Sequence, residues 1–408
     1  MKYSGIKWVG EIPDNWNIKA IRECLFERNE KNDKLQENTI LSLSVKDGVT
    51  LYDGENHSGN KPREDLSGYK IVKENDIVAN SMNILSGSVG LSGYNGVVSP
   101  VYYIYHIRNS KDSIRYFNYI FQCNEFQKNL RRLGKGILIR ETEEGKLNTI
   151  RTKVPSYQLS IEKIPYPNEV TQKNIVKLLD KKTAEIDSLI EIEKKQIEKL
   201  KEYKQSVITE AVTRGIDNNA AMKDSGVEWL GKIPVDWNVC RFKNVITIAN
   251  GKEIEADGGD IPVYGSGGIF KYTNKPLFNG TSLLLGRKGT IDNPMLVTGS
   301  FWTVDTMFYT SEIKNIDSKY LYYCAKGLIN FDFYKSGSVL PSMTQTELNN
   351  IYITYPHINE QHKISIYLDK KCTEIDTLIS IKRKKIDVLI EYKKSLIYEY
   401  VTGKKEVI

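Results

Sequence analysis

The chain has 408 residues, 40% of them hydrophobic and 27% charged, and a net charge of +7. That leaves room for two or three domains with real cores and suits contact with a polyanion. No apolar run reaches the roughly 18 residues of a transmembrane helix, and the first ten residues lack the apolar centre of a secretory signal. The five cysteines (Cys24, Cys123, Cys240, Cys324 and Cys372) are odd in number and widely spaced. This pattern gives no CxxC pair, zinc spacing or disulfide framework, and reads as reduced thiols in a cytoplasmic protein with no membrane partner.

The chain opens on Ser4-Gly5-Ile6-Lys7-Trp8-Val9-Gly10-Glu11-Ile12-Pro13-Asp14-Asn15-Trp16-Asn17-Ile18. The same frame returns 221 residues later, from Ser225 to Val239, with both Trp, both Gly, the Ile-Pro pair and Trp-Asn in register. Such self-similarity is the first signature of a repeated architecture.

The block 19–168 that follows looks mixed. Alternation around Val98 to Ile107 predicts strand, and the apolar residues of 112–132 predict a helix against a sheet. Its polar Gly/Ser/Asn-rich loops hold Ser44, Lys46, Asn80, Asn83 and Ser88, with Lys135 and Arg140 after Gly134. Small residues allow close backbone approach to phosphates, and Asn, Arg and Lys side chains read base edges or neutralise phosphates. These seven are candidate DNA contacts.

Residues 171–212 lack Pro and Gly and carry a 4-3 rhythm through Leu179, Ile186, Ile190, Ile197, Leu200 and Val207. A seam repeating every 3.5 residues marks a coiled coil. The segment 360–401 repeats it with Leu368, Ile375, Ile379, Ile386, Leu389 and Leu396, and Leu179-Asp180-Lys181-Lys182 recurs as Leu368-Asp369-Lys370-Lys371, 189 residues on. Each stripe alone would stay exposed, so the two helices are expected to pair with one another. With a globular block between them, an antiparallel pairing about a pseudo-twofold axis is the natural geometry. Gly215 and Gly403 are the stop signals.

The second block, 240–357, shares little with the first. Leu296 to Tyr309 predicts strand and 317–329 helix. Candidate DNA contacts are Lys252, Ser266, Arg287, Lys288, Lys335 and Ser338. The helical segments carry +2 and +4, leaving the remainder nearly neutral, so DNA contact there requires local basic patches.

Catalytic signatures are missing. The chain has no GxxxxGK[ST] loop, no HExxH and no Pro-Pro dipeptide of an amino-methyltransferase. Its histidines, His57, His106, His357 and His362, have no metal spacing. Asp305 with Glu312-Ile313-Lys314 has the rough shape of a nuclease site, a pattern that arises often by chance.

The doubled opening motif, each copy followed by a variable block and a long helix with Leu-Asp-Lys-Lys, resembles the specificity subunits of Type I restriction-modification systems. Pro262-Val263-Tyr264-Gly265-Ser266-Gly267-Gly268, Gly286 to Pro294 and Phe301 to Thr306 look like a target-recognition domain of that family. The resemblance implies an α+β chain with two mixed α/β target-recognition domains, at 1–168 and 216–358, and helical spacers at 169–215 and 359–408. It implies no catalysis by this chain, each recognition domain reading one half of a bipartite, non-palindromic target in double-stranded DNA. The helices would space the domains and dock two methyltransferase subunits. S-adenosylmethionine, ATP and Mg would sit on those partners and on restriction subunits, with no cofactor or metal on this chain. A rod of roughly 60 Å spans about 18 base pairs, enough to hold half-sites about one helical turn apart. Two other readings stay open: a coiled-coil scaffold that binds proteins, and a standalone nuclease or methyltransferase with related recognition domains.

Overall fold

The structure is a computed structural model, and it describes residues 1–54, 61–136, 153–254, 258–332 and 341–407. The chain is mixed α/β and divides into two compact units. The first comprises 1–191 with 385–408, and the second comprises 192–384.

In the first unit the opening motif folds as a closed turn. Ile6 O accepts from Val9 N and Gly10 N, and Ser4 N donates to Gly10 O. Gly10 takes φ +69°, a left-handed conformation that a side chain disfavours. Strands Lys2–Tyr3 and Glu11–Ile12 flank this turn. Behind it stands a four-stranded antiparallel sheet in the order Leu25–Glu27, Tyr102–Ile107, Ile77–Asn80 and Val89–Leu91. The strand expected at 98–107 is broken by a turn, leaving Gly96–Val98 and Tyr102–Ile107 in different sheets. The helix expected over 112–132 is likewise split. Ile114–Gln122 and Asn124–Leu130 meet at Cys123, whose ψ of 121° is extended.

The second unit repeats the opening turn, with Val227 O accepting from Leu230 N and Gly231 N. Its sheet has six strands, in the order Ile246–Asn250, Met307–Ile313, Phe278–Gly286, Met295–Thr303, Ile261–Gly265 and Gly268–Thr273. One pairing is parallel, Ile261–Gly265 with Met295–Thr303. The strand expected at 296–309 is two, turning at Val304 to Thr306. Phe278, Phe301 and Tyr309 pack ring against ring in the core of this sheet.

The long helices are Glu169–Arg214 and Ile358–Val401, 46 and 44 residues. At 1.5 Å per residue they run about 69 and 66 Å. Of the seam positions, Leu179, Ile186, Ile190, Ile197, Val207, Leu368, Ile375, Ile379 and Leu396 are buried, while Leu200, Ile386 and Leu389 are half-buried. Within the second unit the helices run in opposite directions: Glu193 pairs with Lys382 at 3.0 Å and Lys204 with Asp376 at 2.6 Å. Within the first unit Asp187 pairs with Lys393 at 2.6 Å.

Each unit ends a long helix on a tryptophan. Gly215 leaves no room for a Cβ beyond 3.2 Å of the Trp237 ring, and Gly403 none beyond 2.4 Å of Pro13 and 3.2 Å of Trp16. Both glycines have positive φ, the usual left-handed helix stop. The second Trp of each opening motif therefore lies against a helix end.

Candidate nucleic-acid interface

In the second unit, Arg287 and Lys288 bond the turn Val304-Asp305-Thr306, Lys252 bonds Thr303 just before it, and Ser266 lies against the loop that carries Arg287 and Lys288. Arg287 N and Lys288 N both donate to Thr306 O, and Lys252 N donates to Thr303 O. Trp302 Nε1 donates to Lys252 O at 2.8 Å, which pins that loop from below. Ser266 Oγ lies 3.1 Å from where a Cβ on Gly289 would be, so the hairpin tip 265–268 abuts the 286–290 loop. Arg287 Nη1 donates to Asp305 O, while Lys252 and Lys288 are exposed. The arrangement is a cationic loop cluster resting on rigid strand ends, suited to phosphate and base-edge contact.

In the first unit the hairpin Leu41–Ser44/Gly48–Leu51 leans on the loop 81–88. A Cβ on Gly90 would lie 3.2 Å from Gly48 Cα, and one on Gly87 would lie 3.7 Å from Val45. Ser44 Oγ is engaged with Asp47 in the hairpin turn, and Asn80 Oδ1 accepts from Met82 N. Lys46, Asn83 and Lys135 are exposed. Ser88 is 3% exposed, so it supports the loop from within and does not present its side chain to a ligand. Lys135 and Lys153 exchange backbone hydrogen bonds, and Val154 N donates to Ser81 O. This carries both lysines to the 81–88 loop. Lys153 was invisible to sequence reasoning, because only the non-local pairing brings it there. Arg140, Lys335 and Ser338 lie outside the described residues.

A third repeat was also missed. Arg115-Tyr116 and Tyr119 in the first unit match Lys319-Tyr320 and Tyr323 in the second. Arg115 and Tyr119 bond Asp180 at 2.9 and 2.8 Å, and Lys319 and Tyr323 bond Asp369 at 2.5 and 2.7 Å. Burial, then donation to Asp369, pushes the Tyr323 hydroxyl well above its ordinary value. Gln172 Oε1 accepts from Ser113 N, and Gln361 Oε1 accepts from Asp317 N. The hydroxyls of Tyr116 and Tyr320 donate to Val401 O and Val212 O, the last turns of the long helices. Each short helix is thus bolted to one long-helix start and one long-helix end. The sequence signal was an aromatic at i and i+3 after a cation, too short to notice without the fold.

The nuclease-like pattern resolves into a surface ion pair. Lys314 holds Glu312 at 2.8 Å and its donation lowers the carboxyl below its usual range. Among the described residues no group of three or more His, Cys, Asp or Glu could hold a metal ion, and no helix is long and apolar enough to cross a membrane.

Residues 234–390 match the Type I restriction modification DNA specificity domain. Over 98% of this chain and 96% of its own length, a Methanocaldococcus jannaschii protein is 23% identical, named provisionally as the type I restriction enzyme MjaX specificity subunit. The fold resembles a chain solved in work on complex assembly and conformational transition of the type I R-M system. That likeness has a TM-score of 0.72 and 13% identity, covering 97% of this chain and 100% of that one. The HsdS subunit from Thermoanaerobacter tengcongensis aligns at TM-score 0.52 and 13% identity, covering 99% and 100%. The matched domain is one of DNA specificity, the class of a DNA-recognition subunit. Residues 234–390 thus carry a Type I restriction modification DNA specificity domain, and the chain as a whole is similar to Type I specificity subunits.

Proposed function

We propose that this chain reads a bipartite, non-palindromic duplex target, one half with the domain at 1–168 and the other with the domain at 216–358. The helices 169–215 and 359–408 act as one antiparallel coiled coil with pseudo-twofold symmetry, which spaces the two domains and docks two methyltransferase subunits. Methylation with S-adenosylmethionine belongs to those partners, and ATP- and Mg-dependent restriction to further subunits, in the cytoplasm.

The observation that carries this reading is the register of the helix ion pairs. Lys204 and Lys393 are repeat mates 189 residues apart, and so are Asp187 and Asp376. Lys204–Asp376 and Lys393–Asp187 are therefore the same contact made twice with the helices exchanged, which is what a twofold axis requires. Glu193 and Lys382 are mates of each other and pair at 3.0 Å, a self-paired contact that supports the symmetric reading. Unlike loop clusters on the two recognition domains support an asymmetric target.

The test is binding of the complex with its methyltransferase partner to duplex DNA across a salt series. The proposal expects affinity for the methylated target to fall linearly on a logarithmic salt scale, with a specific site well above random DNA. Salt-insensitive binding, or none, would favour the protein scaffold.

A further inference from the structure

We infer that Phe270 is a specificity-determining residue that reads a thymine methyl in the major groove of the second unit's half-site. The inference rests on the DNA-reading proposal and deepens it.

The hairpin Ile261–Gly265/Gly268–Thr273 has a two-residue tip, Ser266-Gly267, and its second strand is the edge of the six-stranded sheet. Val263 pairs with Lys271 and Tyr264 with Ile269, so Phe270 is an extra residue with no partner across the ladder. Such a bulge re-aims a side chain. The re-aimed ring packs over Gly265, where an added Cβ would meet it at 3.3 Å. Even so, Phe270 is 57% exposed, with Ile269 and Tyr272 about half exposed beside it. An apolar edge strand left open is a pairing liability that proteins normally blunt.

The neighbours of the ring indicate what covers it. The tip it lies on abuts the loop carrying Arg287 and Lys288 through Ser266 and Gly289. Lys271 Nζ stands 5.8 Å from its centroid. An apolar ring set among cations and small polar residues fits the groove of a polyanion. In the major groove the one apolar group on a base edge is the thymine C5 methyl.

The test uses the full chain assembled with its methyltransferase partner, after the methylated target is mapped. Binding is measured to the mapped duplex, to random duplex, and to duplexes in which each thymine of the second half-site is replaced in turn by deoxyuridine. Loss of one methyl contact should weaken wild-type binding roughly tenfold at one position. F270A should weaken binding to the mapped duplex by a similar factor and show no further loss at that position, leaving random DNA unaffected. F270L, which keeps apolar bulk and the strand, should fall between. K288A should weaken all duplexes alike and reduce the salt slope.

If K288A weakens binding while F270A and F270L match wild type, the methyl contact is wrong and DNA reading by this unit stands. If F270A weakens binding but couples to no deoxyuridine position, the methyl contact is also wrong. If wild type binds the mapped and random duplexes alike, the DNA-reading proposal itself fails. A change in self-association alone would assign the strand to copy-to-copy pairing and overturn the inference.

Discussion

Reversing Glu193 to Lys should be among the most damaging single changes on the helix pair. The Glu193 side chain is 6% exposed and Lys382 26%, with 3.0 Å between them. Lys382 Nζ also donates to Gln196 Oε1. At 3 Å and an effective dielectric near 20, the Coulomb attraction is about 5 kcal/mol before desolvation is subtracted. Breaking buried pairs costs about 3–5 kcal/mol. Lys382 reaches water and can swing away, so a loss of about 2–3 kcal/mol is expected. The assay is urea unfolding followed by helical circular dichroism on four proteins: wild type, E193K, K382E and the double reversal. The double variant should regain most of the loss, since the two sites are in contact and their effects are coupled. If E193K unfolds with wild type, or the double reversal is as weak as the two single losses added, the pair does not stabilise the seam and the register argument loses its centre.

Three further outcomes are expected. Ile190→Asp and Ile379→Asp each put a carboxylate into a buried seam position; melting temperature and assembly with the methyltransferase should both fall, and an unchanged melt would remove these residues from the seam. Tyr320→Phe removes the donor to Val212 O and the partner of Thr354 Oγ1, at a cost of about 1 kcal/mol in unfolding free energy; no change would mean the hydroxyl is not a helix anchor. Burial pushes the thiols of Cys24 up to about 12 and of Cys123 and Cys240 up to about 11, from 9.0. Because the folded thiols keep their protons while unfolded ones ionise, stability is full below pH 9 and falls as pH rises from about 9 toward 12. A titration of unfolding free energy that stays flat across that window would contradict it.

The helices were the most legible part of the chain. Their periodicity is local, and expected spans of 171–212 and 360–401 became 169–214 and 358–401. Leu200, Ile386 and Leu389 fit the rhythm yet are only half-buried, because a two-helix seam covers one side of each residue and leaves the other to neighbours that vary along the rod. The opening motif was legible as a repeat but not as a packing element. Trp8 is 9% exposed against Phe126, whereas its mate Trp229 is 56% exposed. The helix that covers Trp8, Asn124–Leu130, lies within the variable block of the first unit and has no described counterpart in the second. In the recognition domains, residue type alone marked Ser266, Arg287 and Lys288 as polar loop residues. The meeting of Arg287 and Lys288 on Val304 to Thr306, with Ser266 against their loop, depends on strand pairings distant in sequence, one of them parallel. The bulge that singles out Phe270 is a fact of register, and in the sequence it is one more aromatic in a strand.

In the proposed function, two unlike reading heads on one chain each govern their own half of a target. The most direct measurement is genome-wide mapping of N6-methyladenine in a strain whose copy of this gene has block 19–168 replaced by that of another specificity subunit, beside the unaltered strain. The account predicts that one half of the methylated sequence changes while the other half and the spacing between them persist. A change in both halves, or in neither, would contradict it.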